Sequence, residues 1–251
     1  MGNIRTFRLI RSKPAGAVFN MAVDRKMFER YLSDSVPVFR VYSWNAPSLS
    51  WGVSQKPGKD IDPHRCLVSG VETAGRMTGG GILFHSDELT YSFVCSNEDV
   101  KDPKGSLVSY RNICAFLIRF YKSLGLQASF ACEDRDFNLN SAPSAFCSAS
   151  HEKYDIMING RKIGGNAQKR TREVVFQHGS IPVKIDWEPV FKCLDNFPLD
   201  IDSRVTQLSK ELPVVPQRKI LEEKLIAAFG DEFKVKFIED KEPIYETAVA
   251  E

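Results

Sequence analysis

Four stretches of the sequence carry residue types and spacings that could do chemistry. In Gly160-Arg161-Lys162-Ile163-Gly164-Gly165-Asn166-Ala167-Gln168 an ammonium is followed by small residues where strand formers would be expected. Glycine weakens a strand interior, so Gly164 and Gly165 mark a bulge or a ligand lying against the backbone. The plainer alternative is an exposed hairpin with a solvated lysine. In Arg76-Met77-Thr78-Gly79-Gly80-Gly81-Ile82-Leu83-Phe84-His85 three glycines let the backbone approach a ligand and aim several amides at one oxygen-rich group. Arg76 could clamp a phosphate or carboxylate there, and a glycine-rich turn into a strand competes with that reading. Gln177-His178-Gly179-Ser180 places a strand histidine beside a glycine. Cys147 lies in the small-residue stretch from Ser141 to Ser150, which reads as a loop, and is expected to be the most accessible of the cysteines at 66, 95, 114, 132, 147 and 193.

Other chemistries are excluded by pattern. There is no C-x-x-C, H-E-x-x-H, Walker loop, G-x-S-x-G or G-x-G-x-x-G. The four histidines and six cysteines do not cluster at zinc-ligand spacing, so no metal is expected. Among 251 residues, 43% are hydrophobic and 26% charged, ordinary globular usage. A net charge of +2 provides no overall field for nucleic acid or an anionic membrane. No apolar run is long enough to span a bilayer. Met1 to Thr6 satisfies the short myristoylation pattern, while the basic start lacks the apolar stretch of a secretory signal, and a cytoplasmic location with reduced thiols is expected.

Something must position these groups. Apolar spacing predicts a helix over Ala17–Leu32. Val38–Trp44 and Ser48–Val53 alternate around Asn45-Ala46-Pro47 and suggest paired strands. Further strands are expected at Ile82–His85, Leu89–Cys95 and Val174–Val183, and a helix at Ser106–Leu124, stopped by Gly125. Asn159-Gly160 joins Tyr154–Ile158 to Arg161–Ile163 as a hairpin. Pro216–Phe229 reads as a helix with Gly230 just beyond it, followed by a strand over Phe233–Ile238. Strands outnumber helices and short turns join them, so the fold class expected is α+β with mixed, largely antiparallel sheets and flanking helices. Without repeats or linkers, residues 1–251 form a single expected domain, with 216–251 a helix–strand extension of it.

Together the segments resemble the lipoate and octanoate attachment family, which includes lipoate–protein ligases and octanoyl transferases and shares its catalytic fold with biotin–protein ligases. Trp44 to Gly52 is similar to the family's early strand pair, and Arg76 to His85 to its Arg-x-Ser/Thr-Gly-Gly segment. Lys162 to Gln168 resembles its Lys-x-x-Gly-Ser-Ala-Gln stretch, and Gln177 to Ser180 the following His-Gly strand. In cysteine-type octanoyl transferases a loop cysteine precedes a Ser-x-Tyr-Glu-like strand and then the lysine. Here Cys147 precedes Tyr154-Asp155 and, 15 positions on, Lys162. Glu88 to Ser92 and Ser109-Tyr110-Arg111 also look like that branch. Gly75, Asn166 and Ser148 depart from the usual arginine, serine and phenylalanine, and Thr78 to Gly81 looks more like the ATP-dependent ligases.

The resemblance implies Cys147 as acyl carrier with Lys162 beside it. It further implies acyl-substrate contacts from Arg76, Thr78, Gly79, Gly80, Gly81, His85, Gly164, Gly165, Asn166, Ala167, His178 and Gly179. Octanoate would pass from octanoyl-acyl carrier protein to the lysine of a lipoyl domain or a glycine-cleavage H-type protein, without cofactor, nucleic acid or membrane. A free thiol with pKa near 8.5 is only about 3% thiolate at pH 7, and a neighbouring ammonium would raise that fraction. The alternative is a ligase that uses ATP, Mg2+ and lipoate, and a third reading is a non-catalytic relative that binds lipoyl domains or acyl chains. The chain is shorter than ligases with a C-terminal appendix, which favours transfer.

Overall fold

The architecture is that of a computed structural model describing residues 5–56, 58, 60–100, 107–133, 152–195 and 197–240. Cys147 and its loop lie outside the described residues.

Six strands form the main sheet, in the order β10 (Gly165–Arg170), β11 (Val174–Lys184), β6 (Asp87–Ser96), β2 (Val38–Tyr42), β1 (Thr6–Arg11) and β13 (Lys236–Glu239). β1 runs parallel to β2 and to β13, and the remaining pairs are antiparallel. Every residue of β2 is buried, as expected of a strand with neighbours on both edges and layers on both faces. Helices α3 (Leu107–Ser123) and α7 (Arg218–Phe233) cover one face around an aromatic core, where Phe229 meets Phe39 and Phe116 at ring separations of 4.6 and 5.2 Å. Helix α1 (Ala17–Asp34) covers the other face, packing Val23, Met27 and Phe28 onto Ile10, Val38, Val94 and Phe176. Its first turn is capped from a distance, since the Ala17 amide donates to Glu72 Oε2 at 2.6 Å.

A second sheet sets β3 (Ser48–Trp51) between β4 (Glu72–Gly75), parallel to it, and β5 (Leu83–His85), antiparallel. Its core joins α2 (Pro63–Val68) and α4 (Glu188–Phe191) through Cys66, Val190, Phe84 and Trp187. Short helices α5 (Ile201–Arg204) and α6 (Leu208–Glu211) flank the third sheet, ordered β12 (Val205–Thr206), β9 (Arg161–Ile163), β8 (Ile156–Ile158) and β7 (Ala128–Phe130). The Asn159-Gly160 hairpin forms as expected, both residues having positive φ, 49° and 73°. The mixed sheets with flanking helices match the α+β expectation.

Two expectations need correction. Val38–Trp44 and Ser48–Val53 do not pair with one another. β2 is flanked by β1 and β6 instead, and after Tyr42 the chain crosses to the second sheet, with only an isolated bridge between Ala15 and Trp44 on the way. The terminal helix does not stop before Gly230 either. It continues to Phe233, whose buried ring completes the helix's core face, and ends on Lys234 in the left-handed region at φ 58°.

Candidate active site

A cavity of about 290 Å³ opens beside the edge strand β10. Its lining comes from both faces of the main sheet. Register places Ala167 opposite His178 on the face covered by α1, which contributes Met21, while Tyr110 of α3 and Asp155 come from the other side. Between them stands the glycine segment, with Arg76, Gly79 and Gly80 on the wall.

The glycine segment is held from two directions. Arg76 is almost fully buried. Its NH1 donates to Ser50 Oγ at 2.8 Å, and its NH2 donates to the carbonyls of Gly81 and Gly79 at 2.7 and 3.3 Å. The guanidinium expected to clamp a substrate anion thus also braces its own loop. Ser50 Oγ bridges Arg76 to His85 Nε2 at 2.6 Å, and His85 Nδ1 faces Glu88 Oε1 at 2.8 Å. The His85 ring stacks on Trp44 at 3.8 Å and 16°, and Trp44 Nε1, Thr90 and Ser180 all donate to the Glu88 carboxylate. Burial would raise the Glu88 pKa, but His85, Thr90 and Ser180 outweigh it and hold the group below its ordinary range. On the second side Thr78 Oγ1 meets His178 Nε2 at 2.8 Å, and His178 Nδ1 meets Asp24 Oδ2 at 3.2 Å.

The lysine segment crosses between sheets. Lys162 sits on β9, 2% exposed, with Nζ 2.8 Å from Asp155 Oδ2. Asp155 lines the cavity, so the ammonium is tied to the wall. One residue past β9, Gly164 has φ 73°, and a Cβ there would strike the carbonyl oxygen of Ser180, so the turn into β10 admits glycine alone without strain. Asn166 then accepts from Tyr91 OH on Oδ1 at 2.7 Å and from Tyr110 OH on its carbonyl at 2.8 Å. A side chain at Gly179 would collide with both Asn166 and Tyr91.

Of the residues singled out by sequence, Arg76, Gly79, Gly80, His85, Gly165, Asn166, Ala167, His178 and Gly179 share this cavity. Thr78, Gly81, Gly164 and Lys162 stand one contact behind it. The pattern reading missed Met21, Asp24, Tyr42 and Ser50. A signal for Asp24 was present: Asn20 and Asp24 are polar residues one turn apart within the buried stripe of α1.

Residues 17–234 match the lipoyl protein ligase A/B catalytic domain. The chain belongs to that family. Octanoyltransferase LipM of Kyrpidia tusciae is 37% identical over 200 residues, 78% of this chain and 73% of the relative. Octanoyltransferase LipM of an Exiguobacterium species is 30% identical over 247 residues, 95% of this chain and 89% of the relative. A Thermoplasma acidophilum chain, from the structure of a bi-partite lipoate protein ligase and its E2 lipoyl domain, aligns over 98% of this chain and 91% of its own. Its TM-score is 0.74 at 20% identity, which speaks for the shared fold.

Within this lipoyl ligase A/B domain the buried cysteines among the described residues are ill suited to nucleophilic attack. Cys66, Cys95, Cys114 and Cys193 are buried, Cys132 is half-buried, and all five are free thiols. Burial pushes the Cys66 thiol up to about 12 and raises Cys95 and Cys114 as well. No group of three or more His, Cys, Asp or Glu among the described residues could hold a metal ion, and no described helix is long and apolar enough to cross a membrane.

The buried network makes the fold sensitive to acid. Burial, which outweighs Asp24, depresses His178 below its ordinary value. Burial opposes ionisation of Asp24 too, but His178, Arg40 and Ser92 overcome it and lower that pKa. A histidine depressed in the fold is protonated more readily in the unfolded chain, so stability falls as pH drops below about 6.5. Carboxylates depressed in the fold stabilise it above their unfolded values and lose that contribution as pH falls through the folded ones. Thermal midpoints recorded between pH 7 and pH 4 should therefore decline from about pH 6.5 downward, more steeply below about 4.5. A flat profile would contradict this account.

Proposed function

We propose that the chain is an octanoyltransferase of lipoate biosynthesis. It takes octanoate from octanoyl-acyl carrier protein onto Cys147 as a thioester and passes it to the lysine of a lipoyl domain or a glycine-cleavage H-type protein. The observation that carries this reading is the Lys162–Asp155 pair, whose carboxylate lines a cavity walled by Met21, Tyr42, Trp44 and Leu83, in a chain whose relatives are named octanoyltransferases. Those four side chains suit a fatty acyl chain, and Asn166, Tyr110 and Asp155 form a polar wall for its reacting end.

Both steps balance without ATP or another cofactor. The Cys147 thiolate attacks the donor thioester, forming a new thioester and expelling the carrier thiolate. The acceptor amine then attacks that thioester, forms the amide and returns the thiolate, with the excess proton leaving the amine. The role assigned to Lys162 is to favour thiolate by its positive charge. Arg76 and His85 shape the pocket, with Thr78, Gly81 and Gly164 supporting it from behind. Backbone amides of the glycine segment are assigned to the oxyanion.

The test is incubation with octanoyl-acyl carrier protein followed by mass spectrometry. An octanoyl adduct on Cys147, lost in Cys147→Ser along with transfer, is the expected result. No adduct, together with modification of the acceptor by lipoate and ATP in both proteins, would establish the ligase reading instead.

A further inference from the structure

Asp24 belongs to none of the motifs, yet it sits at the centre of a buried cluster. Arg40 NH1 and Ser92 Oγ donate to its Oδ1 at 3.0 and 2.7 Å, and Tyr42 OH donates to its Oδ2 at 3.0 Å. Arg40 is fully buried, and its NH2 donates to Asn20 Oδ1 at 2.8 Å. The guanidinium lies 4.0 Å from the centre of the Tyr42 ring. The fourth partner of Asp24 is His178, whose ring also lines the cavity.

We infer that Asp24 is a positioning residue for the cavity wall, acting through His178 on Thr78. A carboxylate ringed by donors accepts only, so the imidazole must present Nδ1–H to Asp24. A neutral ring then has its lone pair at Nε2, and Thr78 must turn its hydroxyl proton toward it. That bond fixes Thr78, whose carbonyl also accepts from the Val53 amide at 2.9 Å, immediately before Gly79 and Gly80 on the wall. The depressed pKa values of Asp24 and His178 agree with a carboxylate facing a neutral ring. Asp24 thus orders the substrate wall from beneath it, as a carboxylate behind a ligating histidine orders a metal site.

Two measurements test this, and only the second rests on the proposed octanoyl transfer. The chain has four histidines, which makes imidazole nitrogen spectra assignable with a His178→Gln variant. Wild type should show His178 as the Nδ1–H tautomer. In Asp24→Asn the amide keeps its oxygen toward Arg40 and turns its NH2 toward His178, so the ring should switch to Nε2–H. In the transfer assay Thr78→Val, which keeps the shape but loses the hydroxyl, should raise KM for octanoyl-acyl carrier protein roughly 5- to 20-fold with kcat little changed. Thr78→Ser should restore the wild-type KM. The double variant Asp24→Asn/Thr78→Val should be worse than the product of the single ones, because in Asp24→Asn the Thr78 hydroxyl can still accept from Nε2–H, whereas in the double variant that N–H faces a methyl.

An unchanged tautomer in Asp24→Asn, or single effects that do no more than multiply in the double variant, would overturn the inference. Should Asp24→Asn fail to fold, the wild-type tautomer and the Thr78 pair decide, and Nε2–H in the wild type or full activity of Thr78→Val refutes it. A protein with no octanoyl transfer at all but the expected tautomer switch would instead count against the proposed function alone.

Discussion

Lys162→Met should cost the protein both stability and catalysis, and a second substitution should separate the two losses. The ammonium is buried at 2% exposure, 2.8 Å from Asp155 Oδ2. Removing one member of a buried ion pair leaves an uncompensated charge, a cost of about 3 kcal/mol. For a chain of this size that lowers the melting temperature by about 10 °C. Adding Asp155→Asn removes the stranded charge, while the new amide oxygen can still accept from the Glu152 amide, which donates to Asp155 at 2.6 Å. Stability should then return to within about 1 kcal/mol of the wild type. Octanoyl transfer should not return, because the charge that favours thiolate is still missing, and both variants should be slower at pH 7 by up to about thirtyfold. Melting curves and transfer rates on the single and double variants check this. A double variant as active as wild type would remove Lys162 from the chemistry.

Gly164→Ala should be the most damaging single-methyl change in the lysine segment, and Gly160→Ala its control. Both glycines have φ 73°, so both substitutions force alanine into the left-handed region at about 1 kcal/mol. At Gly160 a new Cβ meets nothing within 4 Å, and that strain is the whole cost. At Gly164 it would strike the Ser180 carbonyl, a backbone atom held in the β10–β11 ladder, which adds about 1–3 kcal/mol of overpacking. Relief requires moving β10 away from β11, which carries Asn166 with it. Denaturant unfolding should therefore rank Gly164→Ala well below Gly160→Ala, and transfer should drop only in the former. Equal losses in the two variants would refute the close packing inferred at Gly164.

What could be read from the sequence was mostly local. The Asn159-Gly160 turn, the spacing of α1 and the glycine segments each depend on neighbouring residues, and those were legible. Long-range choices were less so. β1 was hidden because Arg8 and Arg11 interrupt its apolar Phe7, Leu9 and Ile10, and it becomes a strand only through β2 and β13. β2 and β3 read as partners because they are adjacent and alternate, yet burial on both faces sends them to different sheets. In the candidate site the residues announced by glycine were found, whereas Asp24, Ser50 and Met21 matter through contacts with segments distant in sequence. No single-chain pattern encodes those contacts.

The cap on α1 has a consequence for the order of assembly. Glu72, which accepts from the Ala17 amide, lies 55 residues away, so the helix cannot complete its first turn from its own sequence. Closing that loop costs chain entropy before the cap repays it. The helix end that brings Met21 to the cavity and Asp24 behind its wall is therefore finished only when β4 has docked. The pocket is thus a product of the meeting of two sheets and is absent from either one alone.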